Sequence, residues 1–345
     1  MDQNADLIAH AISGSLQIIE QDRERKIVEK RFGLNGRKET LEQIGDTLSV
    51  TRERVRQLEK VILVRLRVAA SENKIPELPA AEKIIIRNLA ELGRTARLTV
   101  LAEKIYGRPA TPKEVSSLAF LGDISSSLTV LPENDRYYHS LAISDLGDEK
   151  ALRTKIDEIV SIIKAEKAPL TLDELDAKLT YEHPSQIAAV ASASKLLATL
   201  NDLWGLAKWP TVNPKNIRDK IYVILKNANE PMHFNKIAAA IADSNFRRKN
   251  VTTQAIHNEL IKDPRFVLIG RGIYALDTWG YKKGTVSEII TDLLKSSSRP
   301  LSREEIVAGV LKSRKVKETT ILLNLQNKDL FERVEKNSYR LKSEA

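Results

Sequence analysis

The chain repeats itself along most of its length, with a period of roughly 60 to 70 residues. The third helices and the hairpins of the last two copies align without a gap, so that four apolar positions of the hairpins recur at a constant offset of 65 residues. Phe266, Ile269, Tyr274 and Leu276 correspond to Phe331, Val334, Tyr339 and Leu341. A repeat of this length is one small supersecondary unit, so the chain is predicted to form a row of small modules rather than one large core.

Each copy has the pattern of three helices followed by a β-hairpin. A Pro-Leu or Pro-Met pair opens the stretches 169–175, 231–237 and 300–306, and a looser version lies at 98–105. Three helices closed by a hairpin form a winged helix, so the pattern predicts a mainly α fold with about four tandem winged-helix domains and small β-hairpin wings. The predicted domains span residues 81–143, 149–212, 214–281 and 284–343. A linker with two prolines is predicted over residues 70–83.

The residues before this linker carry the signals of a helix-turn-helix. Thr40 is a good N-cap for a helix over residues 41–48, whose apolar residues follow helical spacing. Residues 49–50 make the turn. Thr51 then caps a second helix that is predicted to run to about Arg67, without the glutamate that would complete a capping box.

The second helix is predicted to have two unlike sides. The polar side carries Arg52, Glu53, Arg56, Gln57 and Lys60. The opposite side carries Val55, Leu58, Ile62 and Leu66. Arginine, glutamine and glutamate are the side chains that hydrogen-bond guanine, adenine and cytosine in the major groove, where a helix-turn-helix inserts this part of its second helix. The alternative is an ordinary solvated surface.

The stretch from Asp22 to Arg67 resembles region 4 of bacterial primary sigma factors. The resemblance rests on RFGLNG at 31–36, TLEQIG at 40–45 and TRERVRQLEK at 51–60. In that family the unit recognises a promoter element and docks on the flap of the RNA polymerase β subunit. The resemblance therefore implies a helix-turn-helix domain over residues 1–67 with double-stranded DNA and core polymerase as its partners.

The same resemblance assigns roles within the second helix. It implies that Arg52, Glu53, Arg56 and Gln57 read the groove, with Lys60 beside them. It implies phosphate contacts for Thr51 and Arg54. The chain departs from the family pattern after Lys60, where Val61, Ile62, Leu63 and Val64 replace small and basic residues. This apolar run predicts packing against another part of the protein or against a partner.

The basic charge of the chain is concentrated at its C-terminal end. Residues 214–345 hold 25 Lys and Arg against 15 Asp and Glu, whereas residues 68–213 hold 17 against 20. A basic excess of this kind indicates a polyanionic partner such as nucleic acid, although it is also compatible with a solvated basic surface. The first two winged-helix units are acidic on balance and fit a protein-binding or spacing role better.

The third and fourth units carry the candidate DNA contacts outside the helix-turn-helix. These two units, with RFVLIGRGIYALDTWGY at 265–281, resemble the HARE-type winged helix of the delta subunit of bacterial RNA polymerase, most closely over residues 214–281. The candidate contacts of the third unit are Arg247, Arg248 and Lys249 before the third helix, the outward residues Thr252, Thr253, Gln254, His257 and Asn258 on it, and Arg271 at the wing tip. In the fourth unit Lys312, Arg314, Lys315 and Lys317 lead into the third helix.

Several classes of function are not expected. The absence of cysteine excludes thiolate chemistry and cysteine-ligated metals and fits a reducing cytoplasm. The five histidines, His10, His139, His183, His233 and His257, show no metal-binding spacing. No phosphate-binding glycine loop occurs. We therefore expect no catalysis, cofactor, metal or small-molecule substrate, and, without an apolar stretch of about 20 residues, no membrane segment.

The leading hypothesis from the sequence is a DNA-binding transcription protein of sigma factor type that acts with RNA polymerase in initiation or its regulation. One alternative is an accessory polymerase subunit that resembles delta and reads no sequence. Another is an interaction scaffold whose winged helices bind proteins.

Overall fold

The fold is mainly helical, with small antiparallel sheets, in a computed structural model that describes residues 2–181, 184–248, 250–335 and 337–342. The prediction of a mainly α chain is confirmed. The chain divides into two compact units, Met1–Lys208 and Trp209–Ala345. The finer division into five domains stays a prediction.

Four helices precede the first repeat. They are α1 (Asp2–Gln17), α2 (Asp22–Phe32), α3 (Leu41–Leu48) and α4 (Arg52–Ser71). The bounds of α3 agree with the range predicted from the sequence, whereas α4 continues four residues beyond Arg67. The apolar side of α4 remains buried through this extension, since Ile62, Leu66 and Ala69 lie in the core. Burial of this stripe explains why the helix continues.

The first repeat adds one strand to the predicted pattern. Its elements are α5 (Leu78–Glu91), β1 (Thr95–Arg97), α6 (Leu98–Tyr106), α7 (Pro112–Ile124), β2 (Leu128–Leu131) and β3 (Ser140–Ile143). β1 pairs with β3, so the hairpin becomes a three-stranded antiparallel sheet in the order β1-β3-β2. This strand was not predicted from the sequence because it is only three residues long.

The later repeats follow the same order, except that the second has no strand between its first two helices among the described residues. The second has α8 (Glu149–Glu166), α9 (Leu172–Asp176), α10 (Pro184–Ser192), β4 (Leu197–Leu200) and β5 (Leu203–Leu206). The third has α11 (Ile217–Ala228), β6 (Met232–His233), α12 (Phe234–Asp243), α13 (Thr253–Lys262), β7 (Phe266–Gly270) and β8 (Ile273–Leu276). The fourth has α14 (Val286–Ser296), β9 (Leu301–Ser302), α15 (Arg303–Ser313), α16 (Glu318–Leu325), β10 (Phe331–Glu335) and β11 (Ser338–Leu341).

The apolar residue of each Pro-Leu or Pro-Met pair forms a β-bridge and lies outside the helices. Met232 pairs with Tyr274 and Leu301 pairs with Tyr339, and the two tyrosines are related by the 65-residue offset between the last two repeats. In the second repeat Leu170 forms an isolated bridge to Trp204. The proline precedes the strand, where its missing N–H costs no ladder hydrogen bond.

The helix-turn-helix and the first repeat share one core. Phe32 of α2 meets Phe120 of α7 edge to face, with ring centroids 5.2 Å apart. Ile62 and Leu66 of α4 are buried in the same cluster. The predicted linker over residues 70–83 is wrong for most of its length, because α4 ends at Ser71 and α5 begins at Leu78. Its middle is anchored by Ile75, which is fully buried.

The first two repeats are joined by backbone hydrogen bonds. The N–H of Tyr138 donates to Ala193 at 2.8 Å, and the N–H of Lys195 donates to Arg136 at 2.7 Å. The Arg97 guanidinium lies over the Tyr138 ring, 3.8 Å from its centroid. The loop between β2 and β3 therefore contacts the second repeat instead of projecting freely.

Candidate nucleic-acid interface

The turn between α3 and α4 is tight and leaves no room for a larger side chain at Gly45. A Cβ on Gly45 would lie 2.6 Å from the carbonyl oxygen of Val50. Ser49 adopts a left-handed conformation with φ of 52° and ends α3. At the start of α3, Thr40 and Gln43 form a reciprocal capping box, which fixes the direction of the helix.

Thr51 fixes the beginning of α4. Its hydroxyl oxygen accepts a hydrogen bond from the N–H of Arg54 at 3.2 Å, and the reciprocal glutamate contact is absent, as predicted from the sequence. Both side chains are exposed. Thr51 thus holds the first turn of the helix in addition to being a candidate phosphate contact.

A small apolar cluster supports the polar side of α4. Val55, Ile27 and Ile44 are fully buried and join α4, α2 and α3. On a neighbouring face, Arg65 forms a 2.9 Å ion pair with the buried Glu24 of α2. These contacts hold α4 so that its polar side remains outside.

The five predicted groove-side residues of α4 lie on its outer side. They are Arg52, Glu53, Arg56, Gln57 and Lys60. Three of them form a network: Arg56 donates to both carboxylate oxygens of Glu53, at 2.8 and 2.7 Å, and Gln57 donates to one of them at 3.3 Å.

The hydrogen bonds from Arg56 lower the pKa of Glu53, and those same bonds raise the pKa of Arg56. Both groups therefore stay charged at neutral pH. This pairing was not predicted from the sequence, although its i, i+3 spacing is a recognised signal.

The apolar run after Lys60 is divided between two environments. Ile62 is fully buried and Leu63 packs beside it in the core shared with the first repeat, as predicted. Val61 and Val64 are 54% and 49% exposed and line a shallow cleft with Arg56, Gln57 and Lys60. Packing against the protein itself thus accounts for only one side of this run.

The candidate contacts of the third repeat are mixed. Arg247, Arg248 and Arg271 are exposed, whereas Lys249 lies outside the described residues. The wing tip is a tight turn: Gly272 has φ of 69°, and a Cβ there would lie 2.6 Å from the His233 ring. Arg271 is therefore held on a narrow tip rather than on a long loop.

The predicted groove face of α13 is partly wrong. His257 is half-buried, and its ring lies 4.9 Å from the ring of Phe234 and 6.2 Å from that of Tyr274. It therefore packs against the body of the repeat. Thr252 is the N-cap and accepts a hydrogen bond from Ala255. Thr253, Gln254 and Asn258 remain on the outside, with Gln254 donating to Asn258 at 3.1 Å.

The basic stretch before α16 is also divided. Lys312, Lys315 and Lys317 are exposed, but Arg314 is only 8% exposed and donates to the carbonyl oxygen of Leu268. The expectation that Arg314 meets phosphate is therefore wrong. Its partner lies 46 residues away, and no local pattern in the sequence indicates it.

Neither a metal-binding cluster nor a membrane-spanning helix is found among the described residues. The described residues contain no cluster of three or more acidic or histidine side chains able to hold a metal ion, and His183 lies outside them. Within the same residues, no helix has both the length and the apolar character to cross a bilayer.

Comparison with known proteins finds similarity in the helix-turn-helix. Residues 21–68 match the family Sigma-70, region 4. Over 57 residues the chain is 44% identical to RNA polymerase sigma factor SigA4 of Synechococcus elongatus. These residues make up 16% of this chain and 18% of that protein. Over 56 residues it is 45% identical to RNA polymerase sigma factor SigA of Clostridium acetobutylicum. These residues make up 16% of this chain and 15% of that protein. The chain thus spans less than a fifth of the length of these relatives.

Proposed function

We propose that this protein binds promoter-like DNA in a sequence-specific manner and acts with RNA polymerase in transcription initiation or its regulation. The match of residues 21–68 to sigma region 4 supports a helix-turn-helix that binds DNA and approaches polymerase. The two similar proteins are named as RNA polymerase sigma factors. Because the similarity covers only this segment, the activity of a whole sigma factor does not follow from it.

One observation carries the proposal: the exposed polar side of α4 stands on a fully buried apolar cluster. Arg56 and Gln57 lie on the outer side, and Val55 fixes the helix from below. Arginine can bond guanine through two donors, and glutamine can bond adenine through a donor and an acceptor. A helix held in this manner offers these groups to the major groove without reorganisation of its backbone.

We propose that the four repeats are winged-helix domains and that the third is of the HARE type. The shared order of helices and strands supports this assignment. The last two would add contacts to DNA, through Arg271 and Lys315 among others. The first two would act as spacers or bind protein, because the β2-β3 loop of the first is already engaged by the second.

The proposed partners are double-stranded DNA and core RNA polymerase, with the flap of the β subunit as the docking point implied by the sigma resemblance. The proposed location is the cytoplasm. We propose a binding role without catalysis, cofactor or small-molecule substrate.

The test is selection of bound fragments from random duplex DNA with the full chain, with and without core polymerase. We expect the bound fragments to share a sequence motif, and we expect this motif to disappear when the selection is repeated with Arg56→Ala. Enrichment of a motif only when polymerase is present would still fit, because polymerase can position the helix. No enriched motif under either condition would overturn sequence-specific reading.

A second candidate is an accessory polymerase subunit without sequence readout. The observation that favours it is the pairing of Arg56 with Glu53, which already occupies the guanidinium that would read guanine. Co-purification with polymerase at high salt, together with equal affinity for all duplexes, would support this candidate over the first.

A further inference from the structure

The third and fourth repeats meet where the chain enters α16. The N–H of Lys315 donates to the carbonyl oxygen of Ile269 in β7 at 2.9 Å. Next to it, Arg314 donates to the carbonyl oxygen of Leu268. The segment at 314–315 therefore lies along the outer edge of β7, on the side not paired with β8. We call this contact the wing junction.

Gly270 makes the close approach at the wing junction possible. A Cβ at this position would lie 2.5 Å from the carbonyl oxygen of Lys315. Any larger residue would have to push the two repeats apart. Arg314 closes the junction from inside, because its burial leaves the guanidinium little alternative to the carbonyl it bonds.

The wing junction brings two separately predicted contacts to one place. Arg271 follows Gly270 directly, so its backbone lies next to that of Lys315. Both side chains are exposed, and so are those of Lys312 and Lys317 close by in the chain. Residues 44 apart in the sequence thus form one basic surface.

The cations of this surface differ from others in the same unit. Arg299 pairs with Glu305 and Arg303 pairs with Glu318. Arg271, Lys312, Lys315 and Lys317 have no acidic partner within 4.0 Å among the described residues. Unpaired like charges held together repel one another, and a polyanion relieves this repulsion.

We propose that the wing junction is a single composite site for the phosphate backbone of duplex DNA, which binds without regard to sequence. Arg271 and Lys315 contact phosphates together, and Arg314 and Gly270 position them by holding the two repeats in register. The choice of duplex DNA rather than an acidic protein rests on the proposed function, since α4 would bring the same polymer to the chain. The site then adds affinity while α4 adds selectivity.

The experiment measures binding of the full chain to a mixed-sequence duplex by fluorescence anisotropy over a series of salt concentrations. Arg271→Ala and Lys315→Ala should each lower the slope of log affinity against log salt by about 0.9, and the double variant by about 1.8. Lys226→Ala, an exposed lysine on α11, should leave the slope unchanged. Unchanged slopes for both junction variants would overturn the proposal.

A variant without any charge change tests the composite nature of the site. Gly270→Ala should lower both affinity and slope, because the added Cβ displaces Lys315 from Arg271. Gly36→Ala is the matched control, since a Cβ there meets nothing within 4 Å. Circular dichroism and thermal unfolding check that the variant is folded. A folded Gly270→Ala protein with the affinity of the parent would show that Arg271 and Lys315 act independently and would refute the composite site.

The two proposals can fail separately. If Arg56→Ala abolishes motif selection while the junction variants bind mixed DNA normally, the wing junction proposal fails and the proposed function stands. If the junction variants lose affinity while no motif is ever selected, sequence-specific reading fails and the junction stands. Binding of polyglutamate that is lost in the same variants, without binding of DNA, would assign the surface to an acidic protein and overturn the proposal.

Discussion

Glu53 and Arg56 form a two-point ion pair on the exposed side of α4, with N–O distances of 2.8 and 2.7 Å. Gln57 donates to the same carboxylate. The side chains proposed to read bases are therefore bonded to one another when DNA is absent. Base recognition must exchange these contacts for contacts with base edges, so Glu53 competes with guanine for the Arg56 guanidinium.

Arg56→Ala should weaken binding to the selected DNA site by roughly tenfold to a hundredfold if Arg56 makes a two-point guanine contact. Binding to unrelated duplex should fall much less. Arg56→Lys should recover only part of the loss, because an ammonium cannot offer two donors in one plane. The control is Arg87→Ala on α5, where an exposed arginine also pairs with a glutamate on its own helix. Equal losses on selected and unrelated DNA would contradict base reading.

Glu53→Gln should strengthen nonspecific binding, whereas Arg56→Ala should mainly weaken specific binding. The change removes a negative charge near the phosphates and releases Arg56, so affinity for unrelated duplex should rise several-fold. The ratio of specific to nonspecific affinity should fall, since the carboxylate no longer competes for the guanidinium. Parallel titrations with both duplexes measure this ratio. Glu304→Gln, an exposed carboxylate of α15, should leave the ratio unchanged.

Gly45→Ala should destabilise the turn that orients α4. The added Cβ would lie 2.6 Å from the Val50 carbonyl oxygen. Relieving this overlap should cost about 1 to 3 kcal/mol. Urea unfolding followed by circular dichroism measures the loss. Selected DNA should also be bound less tightly, because the angle between α3 and α4 changes. A variant with unchanged stability and affinity would show that the turn can absorb the methyl group.

Local sequence signals predicted the helix-turn-helix well. Thr40 and Thr51 act as caps at the positions predicted for them, because a cap depends on residues only three positions away. The fate of Arg314 and His257 could not be predicted in this way. Their surroundings are set by Leu268 and Phe234, which are distant in sequence and reach them only through packing. The strands at 232–233 and 301–302 were missed for a related reason, since a two-residue strand has no periodicity of its own.

Phe120→Ala should destabilise the helix-turn-helix although Phe120 lies outside it. Its ring is fully buried against Phe32. The cavity should therefore cost about 3 to 5 kcal/mol. Because one core serves both parts, unfolding monitored in α4 and in the first repeat should shift together. Two separate transitions, with α4 unaffected, would contradict the shared core. A matched control is Phe246→Ala in the other unit, which should leave the transition of α4 in place.

Asp123 should make the unit at residues 1–208 less stable as pH rises from about 4 to 6, whereas an ion-paired carboxylate usually has the opposite effect. Burial raises the pKa of its carboxyl to about 6, against the opposing effect of Arg67, while Glu59 and Glu149 add to the rise and Lys38 opposes it. The folded state therefore binds more protons than the unfolded state between about pH 4 and 6, and the contribution of Asp123 to stability falls as pH rises through this window.

The size of this effect should be about 1 to 3 kcal/mol, since a pKa difference of one between the folded and unfolded states corresponds to about 1.4 kcal/mol. Asp123→Asn removes the titration. Its stability relative to the parent should therefore be greatest at neutral pH and should decline by that amount as pH falls to about 4. Urea unfolding of both proteins over this range measures the difference, with Asp243→Asn at the exposed end of α12 as the control. A difference between Asp123→Asn and the parent that stays constant with pH would mean that folding does not raise the pKa of this carboxyl.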